Sequence, residues 1–212
     1  MSDVTRRDAL KAFAVVGMAN MLGVETPHME RTLRNMELLD EQQGAPYAPK
    51  FFTRHEWRTV RMLSDYVIPR DDRSGSATDA KVPEFMDFLL SDKDASEWSK
   101  TSMRGGLAWI DNQARHRFQK DFVEATDTQR REILDDIAWP KKAKPEFSHG
   151  VNFFNRFRDL TASGFFSSAM GWRDVQYIGN TFNPNWNGCP PAALQKLGVS
   201  YDVMNTRTNP TK

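Results

Sequence analysis

Residues 52–69 have the sequence FTRHEWRTVRMLSDYVIP, which contains the clearest helix start in the chain. Thr53 and Glu56 have the spacing of a capping box, and Phe52 and Trp57 have the spacing of a hydrophobic staple. Pro69 ends the helix because the residue before a proline disfavours helical backbone. The apolar positions recur at helical spacing between these signals: Trp57, Val60, Leu63 and Val67.

The same kinds of signal predict four more helices on the C-terminal side of this stretch. They begin near Pro83, near Ala95, after a second capping box at Thr126 and Gln129, and near Ser148. The second of them runs to about Phe122 and contains Gly105-Gly106, a pair that marks a bend or a close backbone approach. No segment shows strand alternation. The chain is therefore predicted to be all-α, an irregular helical domain of about five helices.

The periodicity stops near Phe165, and an aromatic-rich C-terminal coil is predicted beyond it. We divide the chain into a signal segment over 1–24, a polar connector over 25–50, a helical domain over 51–200 and a tail over 201–212. The connector begins as a helix before Gly44, and the polar residues 69–81 form a loop. A short helix is also predicted from Ala192 to Leu197. The pairs Phe153-Phe154 and Phe165-Phe166 are assigned to the core.

The first 24 residues have the pattern of an export signal. A basic head precedes a weakly apolar run from Ala12 to Val24, which is shorter than the roughly 18–20 apolar residues needed to cross a bilayer. The nearest candidate cleavage site, Gly17-Met18-Ala19, lies inside that run. The alternative is an amphipathic first helix from Asp8 onward, with Leu10, Phe13, Val16 and Gly17 on one face. The residues of the twin-arginine form of the signal are Arg6, Arg7, Leu10 and Lys11.

Composition limits the chemistry that this chain can perform. Its formal net charge is +1, and no basic stretch is dense enough to follow a nucleic-acid backbone. The four histidines are scattered, and the sequence contains no catalytic or nucleotide-binding motif. Cys189 is the one cysteine, so an intrachain disulfide is impossible. The abundance of large aromatic residues predicts a surface that another protein covers, formed by Trp172, Tyr177, Phe182, Trp186 and Cys189.

Several segments, in the order in which they follow one another along the chain, resemble the gluconate 2-dehydrogenase subunit 3 family. The resemblance covers about residues 51–199 and includes the start of the chain, which is typical of the family. The segments that carry it are Leu63–Asp71, Ser74–Ala77, Val82–Phe85, Gly106–Asp111, Phe153–Gly164, Gly171–Gly179 and Gly188-Cys189-Pro190.

The resemblance implies the small subunit of a periplasmic flavin dehydrogenase that oxidises sugars or sugar acids. In such complexes a large subunit of the glucose–methanol–choline type carries FAD and the active site, and a c-type cytochrome subunit often receives the electrons. The small subunit holds no cofactor and no catalytic residue. It binds the large subunit in the cytoplasm, and the twin-arginine translocase exports the pair. Cys189 departs from relatives with further cysteines, which puts a structural disulfide in doubt.

Two other functions fit the residues. The chain could be an independent exported oxidoreductase, which would require a catalytic group that the sequence does not reveal. It could also be a periplasmic scaffold or binding protein without a redox partner.

Overall fold

The computed structural model describes residues 15–17, 19, 20, 22–41, 47–177 and 188–201. Throughout these ranges the regular structure is helical, with no strand, which confirms the predicted all-α class. The elements are α1 (Thr26–Glu41), α2 (Arg54–Val67), α3 (Val82–Ser91), α4 (Glu97–Phe118), α5 (Asp127–Ala138), a 3-10 turn (Pro145–Phe147), α6 (Ser148–Phe166), α7 (Ala169–Asp174) and α8 (Pro191–Leu197).

Both predicted capping boxes are present. The Thr53 N–H donates to Glu56 Oε2 at 2.8 Å, and the Glu56 N–H donates to Thr53 Oγ1 at 3.3 Å. The Thr126 N–H and the Gln129 side chain make the equivalent pair at the start of α5. Each box satisfies backbone donors that the first helical turn leaves unpaired, which fixes where α2 and α5 begin.

Helix α6 lies at the centre of the fold and packs against α2, α3, α4, α5 and α7. Its buried face includes Phe157 and Leu160, which join one apolar core with Leu63, Phe85 and Ile110. Apolar burial of this kind supplies most of the driving force for folding. The predicted close approach occurs at Gly106, which contacts the ring of Phe153 on α6.

The polar loop between α2 and α3 is tied down by carboxylates. Asp65 accepts from the Thr78 N–H and hydroxyl, at 2.9 and 2.8 Å. Asp71 accepts from the Arg73 and Ser74 N–H groups, and these two hydrogen bonds lower the pKa of its carboxyl. Asp71 is thus a turn-capping residue within the loop that the sequence predicted over 69–81.

The structure corrects two details of the predicted fold. The helix predicted from near Ala95 to about Phe122 is shorter in the structure, where it is α4. Ser96 caps its start, and Gln119 ends it in the left-handed region with φ +57°. Residues 169–174, predicted as coil, form α7. This helix has six residues, too few to show a periodic pattern, and it depends on contacts with α6.

Residues N-terminal to α1 also belong to the core. Val15, Ala19 and Leu22 are buried with Met29, and residues 15–17, 19, 20 and 22 are helical. The alternative of an amphipathic first helix was wrong about Val16 and Gly17, which are exposed, whereas Leu10 and Phe13 of the same face lie outside the described residues. None of the described helices is long and apolar enough to span a membrane.

The chain divides into a unit that ends at Tyr177 and a second unit that begins at Ile178. The described part of the second unit contains α8, which confirms the short helix predicted there. Gly198 ends α8 with φ +64°.

Candidate partner-binding surface

The junction between α6 and α7 is a tight turn built on serine side chains. Ser168 Oγ donates to the Phe165 carbonyl at 2.7 Å and accepts from the Gly171 N–H at 3.1 Å, which caps α7. A Cβ on Gly171 would lie 2.2 Å from the Phe165 carbonyl oxygen. Position 171 therefore requires glycine, because α7 could not otherwise fold back against the end of α6.

Helix α7 ends in a Schellman motif that brings two aromatic rings together. The Tyr177 N–H donates to the Trp172 carbonyl at 2.8 Å, and the Gln176 N–H donates to the Arg173 carbonyl at 3.1 Å. Gln176 has the left-handed conformation of this motif, with φ +55°. The motif places a residue just beyond the helix against its last turn. Here that contact joins Trp172 and Tyr177, whose ring centroids lie 5.9 Å apart in an edge-to-face arrangement.

Four large apolar side chains at this end of the fold are exposed to solvent. Each of them has between 42 % and 54 % of its surface exposed. We call this set the aromatic patch; it comprises Phe166, Trp172, Val175 and Tyr177. A cluster of exposed aromatic residues is typical of a surface that another protein covers.

A cleft of about 360 Å³ adjoins the aromatic patch. Phe166 belongs to both, and Asp174 of α7 forms part of the cleft wall. Its apolar lining comes from the end of α2 and from α6, and its polar or charged lining comes from the loop after α2, from α6 and from α7. The apolar residues are Val67, Ile68, Pro69, Ala162, Phe165 and Phe166, and the polar or charged residues are Asp71, Ser74, Arg158 and Asp174. An apolar centre with a polar rim is the usual composition of a protein interface.

The loop between α2 and α3 is fastened to α7 beside this cleft. The Arg73 guanidinium donates to the Asp174 carbonyl and lies 3.6 Å from Asp174 Oδ1. Gly75 approaches Met170 on the same helix, since a Cβ there would lie 2.9 Å from the Met170 sulfur. The cleft wall is therefore held by contacts between segments about one hundred residues apart.

Two other exposed tryptophans differ from the aromatic patch because each stands singly beside a cation. The Arg156 guanidinium lies 4.5 Å from the ring centroid of Trp98, and Lys142 Nζ lies 5.9 Å from the ring centroid of Trp139. Burial lowers the pKa of Arg156. Such cation–π contacts are common on protein surfaces.

Two clusters of buried polar groups in the unit that ends at Tyr177 serve the fold, and the first is centred on Asp87. Both oxygens of Asp87 are used: they accept from Tyr47 Oη at 2.6 Å and from the Lys50, Phe51 and Phe52 N–H groups at 2.8–3.1 Å. These bonds hold the chain segment that leads into α2. Burial, together with the bond to Asp87, raises the pKa of Tyr47.

A second polar cluster joins α2 to α4. His55 Nε2 lies 2.6 Å from Asp111 Oδ2, while Asp111 Oδ1 accepts from the Phe122 N–H at 3.0 Å. Asp121 pairs with Arg115 at 2.5 Å, which lowers the pKa of the Asp121 carboxyl. No group of three or more potential metal ligands occurs in the described ranges.

The structure brings together two of the five residues that were predicted to form a partner surface. Trp172 and Tyr177 are in contact, whereas Phe182 and Trp186 lie outside the described residues. Cys189 lies in the second unit, where it is exposed and unpaired and its N–H donates to Tyr201 Oη at 2.6 Å. The export-signal residues Arg6, Arg7, Leu10 and Lys11 also lie outside the described residues.

Sequence analysis missed two parts of this surface. Phe165 is buried as predicted, but the core assignment of Phe166 was wrong because its side chain is exposed. Neighbouring helix positions point about 100° apart, so an adjacent pair at a helix end rarely faces one core. The cleft escaped notice because residues 67–74 and the end of α6 are distant in sequence.

Comparison with known protein families matches residues 54–185 to the family described as gluconate 2-dehydrogenase subunit 3. The match covers more than half of the chain and includes α2 to α7 with the aromatic patch and the cleft. No curated protein and no solved structure matches the chain.

Proposed function

The chain belongs to the gluconate 2-dehydrogenase subunit 3 family, and from this premise we propose that it is the non-catalytic small subunit of a periplasmic FAD-dependent sugar or sugar-acid dehydrogenase. In this proposal the large subunit is of the glucose–methanol–choline type and carries FAD and the active site. A c-type cytochrome is the electron acceptor. The small subunit stabilises the flavin subunit and directs its folded export.

The observation that carries the proposal is the aromatic patch beside the cleft. A subunit must bury part of its surface against its partner, and this patch places four exposed large apolar side chains, two of them in ring contact, next to a cleft. Trp172 and Tyr177 are residue types that contribute most to binding energy when an interface covers them. A complex that survives transport requires an interface of the obligate type, with more than roughly 2,000 Å² buried in total.

The polar groups support a structural role rather than chemistry. Asp87, Asp111 and Asp121 each hold backbone or side-chain donors of the fold. Each of these carboxylates thus has an identified partner within the fold. We therefore place the redox chemistry on the partner.

Co-expression with a candidate flavin dehydrogenase large subunit, sought in the reading frames next to the gene for this chain, tests the assignment. We expect the two chains to purify together, and we expect W172A to raise the Kd about 30-fold or more, because a central aromatic contributes about 2 kcal/mol or more to binding. W139A is the matched control, since Trp139 is exposed outside the aromatic patch. If no flavoprotein binds, the proposed function is wrong. If the complex forms and W172A binds normally, only the location of the interface is wrong.

Export is tested separately through the paired arginines. Changing Arg6 and Arg7 to lysine should keep both subunits in the cytoplasm with dye-linked dehydrogenase activity intact, because the signal is recognised by a receptor rather than by its charge alone. A flavin subunit that still reached the periplasm would show that this chain does not direct its export.

A further inference from the structure

The N-terminal segment ahead of α1 ends as a regular helix within the fold. The Val24 N–H donates to the Ala19 carbonyl at 2.9 Å, and the Gly23 N–H donates to the Asn20 carbonyl at 3.3 Å. Gly23 has φ +64°, the left-handed conformation that glycine adopts readily. These three features define a Schellman motif, so the helical residues 15–17, 19, 20 and 22 come to a stop at Gly23.

One face of this helix is buried in the core of the domain. Val15 is 6 % exposed and Ala19 is 1 % exposed. Leu22, three residues after Ala19, lies on the same face of the helix and is also buried. The neighbouring Val16 is 42 % exposed, and Asn20 is also exposed. The segment is therefore amphipathic, and its apolar side belongs to the same cluster as Met29.

The end of the segment is closely packed against three other helices. Leu22 and Val24 share a cavity of only about 10 Å³ with Leu89 of α3, Ser99 of α4 and Leu160 of α6. A space of that size holds about one water-sized probe, so little room remains between these side chains. Close packing of this kind makes a segment costly to remove.

Polar contacts anchor the chain immediately after the segment. The His28 Nε2 atom lies 2.7 Å from the Leu89 carbonyl oxygen. Arg31 makes two hydrogen bonds of 2.8 Å to the carboxylate of Asp92, just beyond the end of α3. Residues 15–24 are thus held directly by their apolar face and indirectly by the anchored start of α1.

We propose that residues 15–24 remain a permanent part of the folded subunit and are not removed after export. This inference rests on the proposed export function, because it concerns what happens to the signal segment afterwards. Ala19, the last residue of the nearest candidate cleavage site, has a buried side chain and lies in a helix. A peptidase requires accessible backbone, and cutting there would detach Val15 and expose apolar surface of the core.

Two adjacent valines provide a matched test. Val15→Asp and Val16→Asp change the hydropathy of the export segment equally, but only Val15 is buried. In the complex with the flavin subunit, we expect V15D to lower Tm by about 5 °C or more and V16D to change it by less than about 2 °C. The milder pair V15A and V16A gives the same comparison if V15D does not fold. Equal Tm values within either pair would overturn the proposal.

The mass of the exported chain provides the second readout. We expect intact-mass spectrometry of the complex from the periplasm to show residues 15–24 still attached. A chain that begins at any residue after 15 would overturn the proposal. If neither subunit leaves the cytoplasm, the proposed export function fails, and the Tm comparison on the cytoplasmic complex still decides whether the segment belongs to the fold.

Discussion

The ring of Phe153 lies directly against the backbone of Gly106, where α6 crosses α4. A Cβ on Gly106 would lie 1.8 Å from Phe153 Cδ2, which is far inside van der Waals contact. The preceding residue, Gly105, has nothing within 4 Å of the equivalent position. Two adjacent glycines therefore differ in their constraints: Gly106 allows the helices to approach, and Gly105 faces open space.

Replacing each glycine with alanine should change stability in opposite directions. G106A should lower the free energy of unfolding by about 3 kcal/mol or more, because the methyl group forces α4 and α6 apart. G105A should raise it by about 0.5–1 kcal/mol, since alanine loses less backbone entropy in a helix. Urea unfolding of the purified protein measures both values. Similar effects of the two substitutions would contradict the assigned crossing geometry.

The buried carboxylate of Asp87 is expected to be a major stabilising group. D87N should lower the free energy of unfolding by about 3 kcal/mol, because an amide nitrogen would face donors that now bind a carboxylate oxygen. Y47F is the control: it removes one of the four donors and should cost about 1 kcal/mol. Thermal unfolding at neutral pH measures both. Equal losses for D87N and Y47F would mean that the three backbone donors contribute little.

The parts of the fold that follow from local sequence were predictable. Thr53 and Glu56, and likewise Thr126 and Gln129, are three residues apart and satisfy each other's backbone, so their helices begin where the sequence indicates. Periodicity and helix-stop signals located the main body of α2 to α6 for the same reason. The pair Gly105-Gly106 was predicted to mark a bend or a close approach because glycine in a helix is unfavourable without such a cause, and the structure places the close approach at Gly106.

The parts that depend on distant contacts were not predictable. Asp87 binds the backbone of residues 50–52, about 35 positions away, and no pattern within the sequence connects them. Helix α7 is six residues long and depends on Ser168 and on the contact between Gly171 and Phe165. Aromatic content pointed to Trp172 and Tyr177, which the structure brings into contact, while the adjoining cleft required the structure.

Glu84 should make stability depend on pH. Burial raises the pKa of its carboxyl, and the Glu84 Oε2 atom has no hydrogen-bond partner. The positive charge of Arg61, 3.8 Å from Glu84 Oε1, partly opposes this rise. The folded state then binds the proton more tightly than the unfolded state does. The free energy of unfolding is therefore highest below about pH 4.3, the ordinary pKa of glutamate in an unfolded chain, and it falls as the pH rises through the higher pKa that Glu84 has in the folded state. The loss is about 1.4 kcal/mol for each unit of difference between the two pKa values.

E84Q should remove this decline because glutamine does not ionise. Guanidinium unfolding from pH 4 to pH 8 should show the variant gaining stability relative to the natural chain as pH rises. E97Q is the control, since Glu97 is exposed at the start of α4 and its substitution should change stability by less than about 0.5 kcal/mol. Parallel pH curves for E84Q and the natural chain would exclude a raised pKa at Glu84.

Gln176 controls the aromatic pair in the proposed partner surface. Its φ of +55° costs a non-glycine residue about 1 kcal/mol, and the cost is greater for a β-branched side chain. Q176G should therefore stabilise the Schellman motif, while Q176V should disrupt it and separate Trp172 from Tyr177. Hydrogen exchange at the Tyr177 amide, which donates to the Trp172 carbonyl, reports the motif directly.

We expect Q176G to slow this exchange by up to about fivefold and Q176V to accelerate it by about fivefold or more, since 1 kcal/mol corresponds to about a fivefold change in an equilibrium constant. Partner affinity should follow the same order, because a pair that is already in place loses less conformational entropy on binding. If Q176V exchanges faster but binds the flavin subunit as tightly as the natural chain, the ordered pair is not needed for docking. The partner would then contact the pair without needing its order, or it would contact the cleft or another surface instead. W172A separates these two explanations, because it weakens binding only if the partner contacts Trp172.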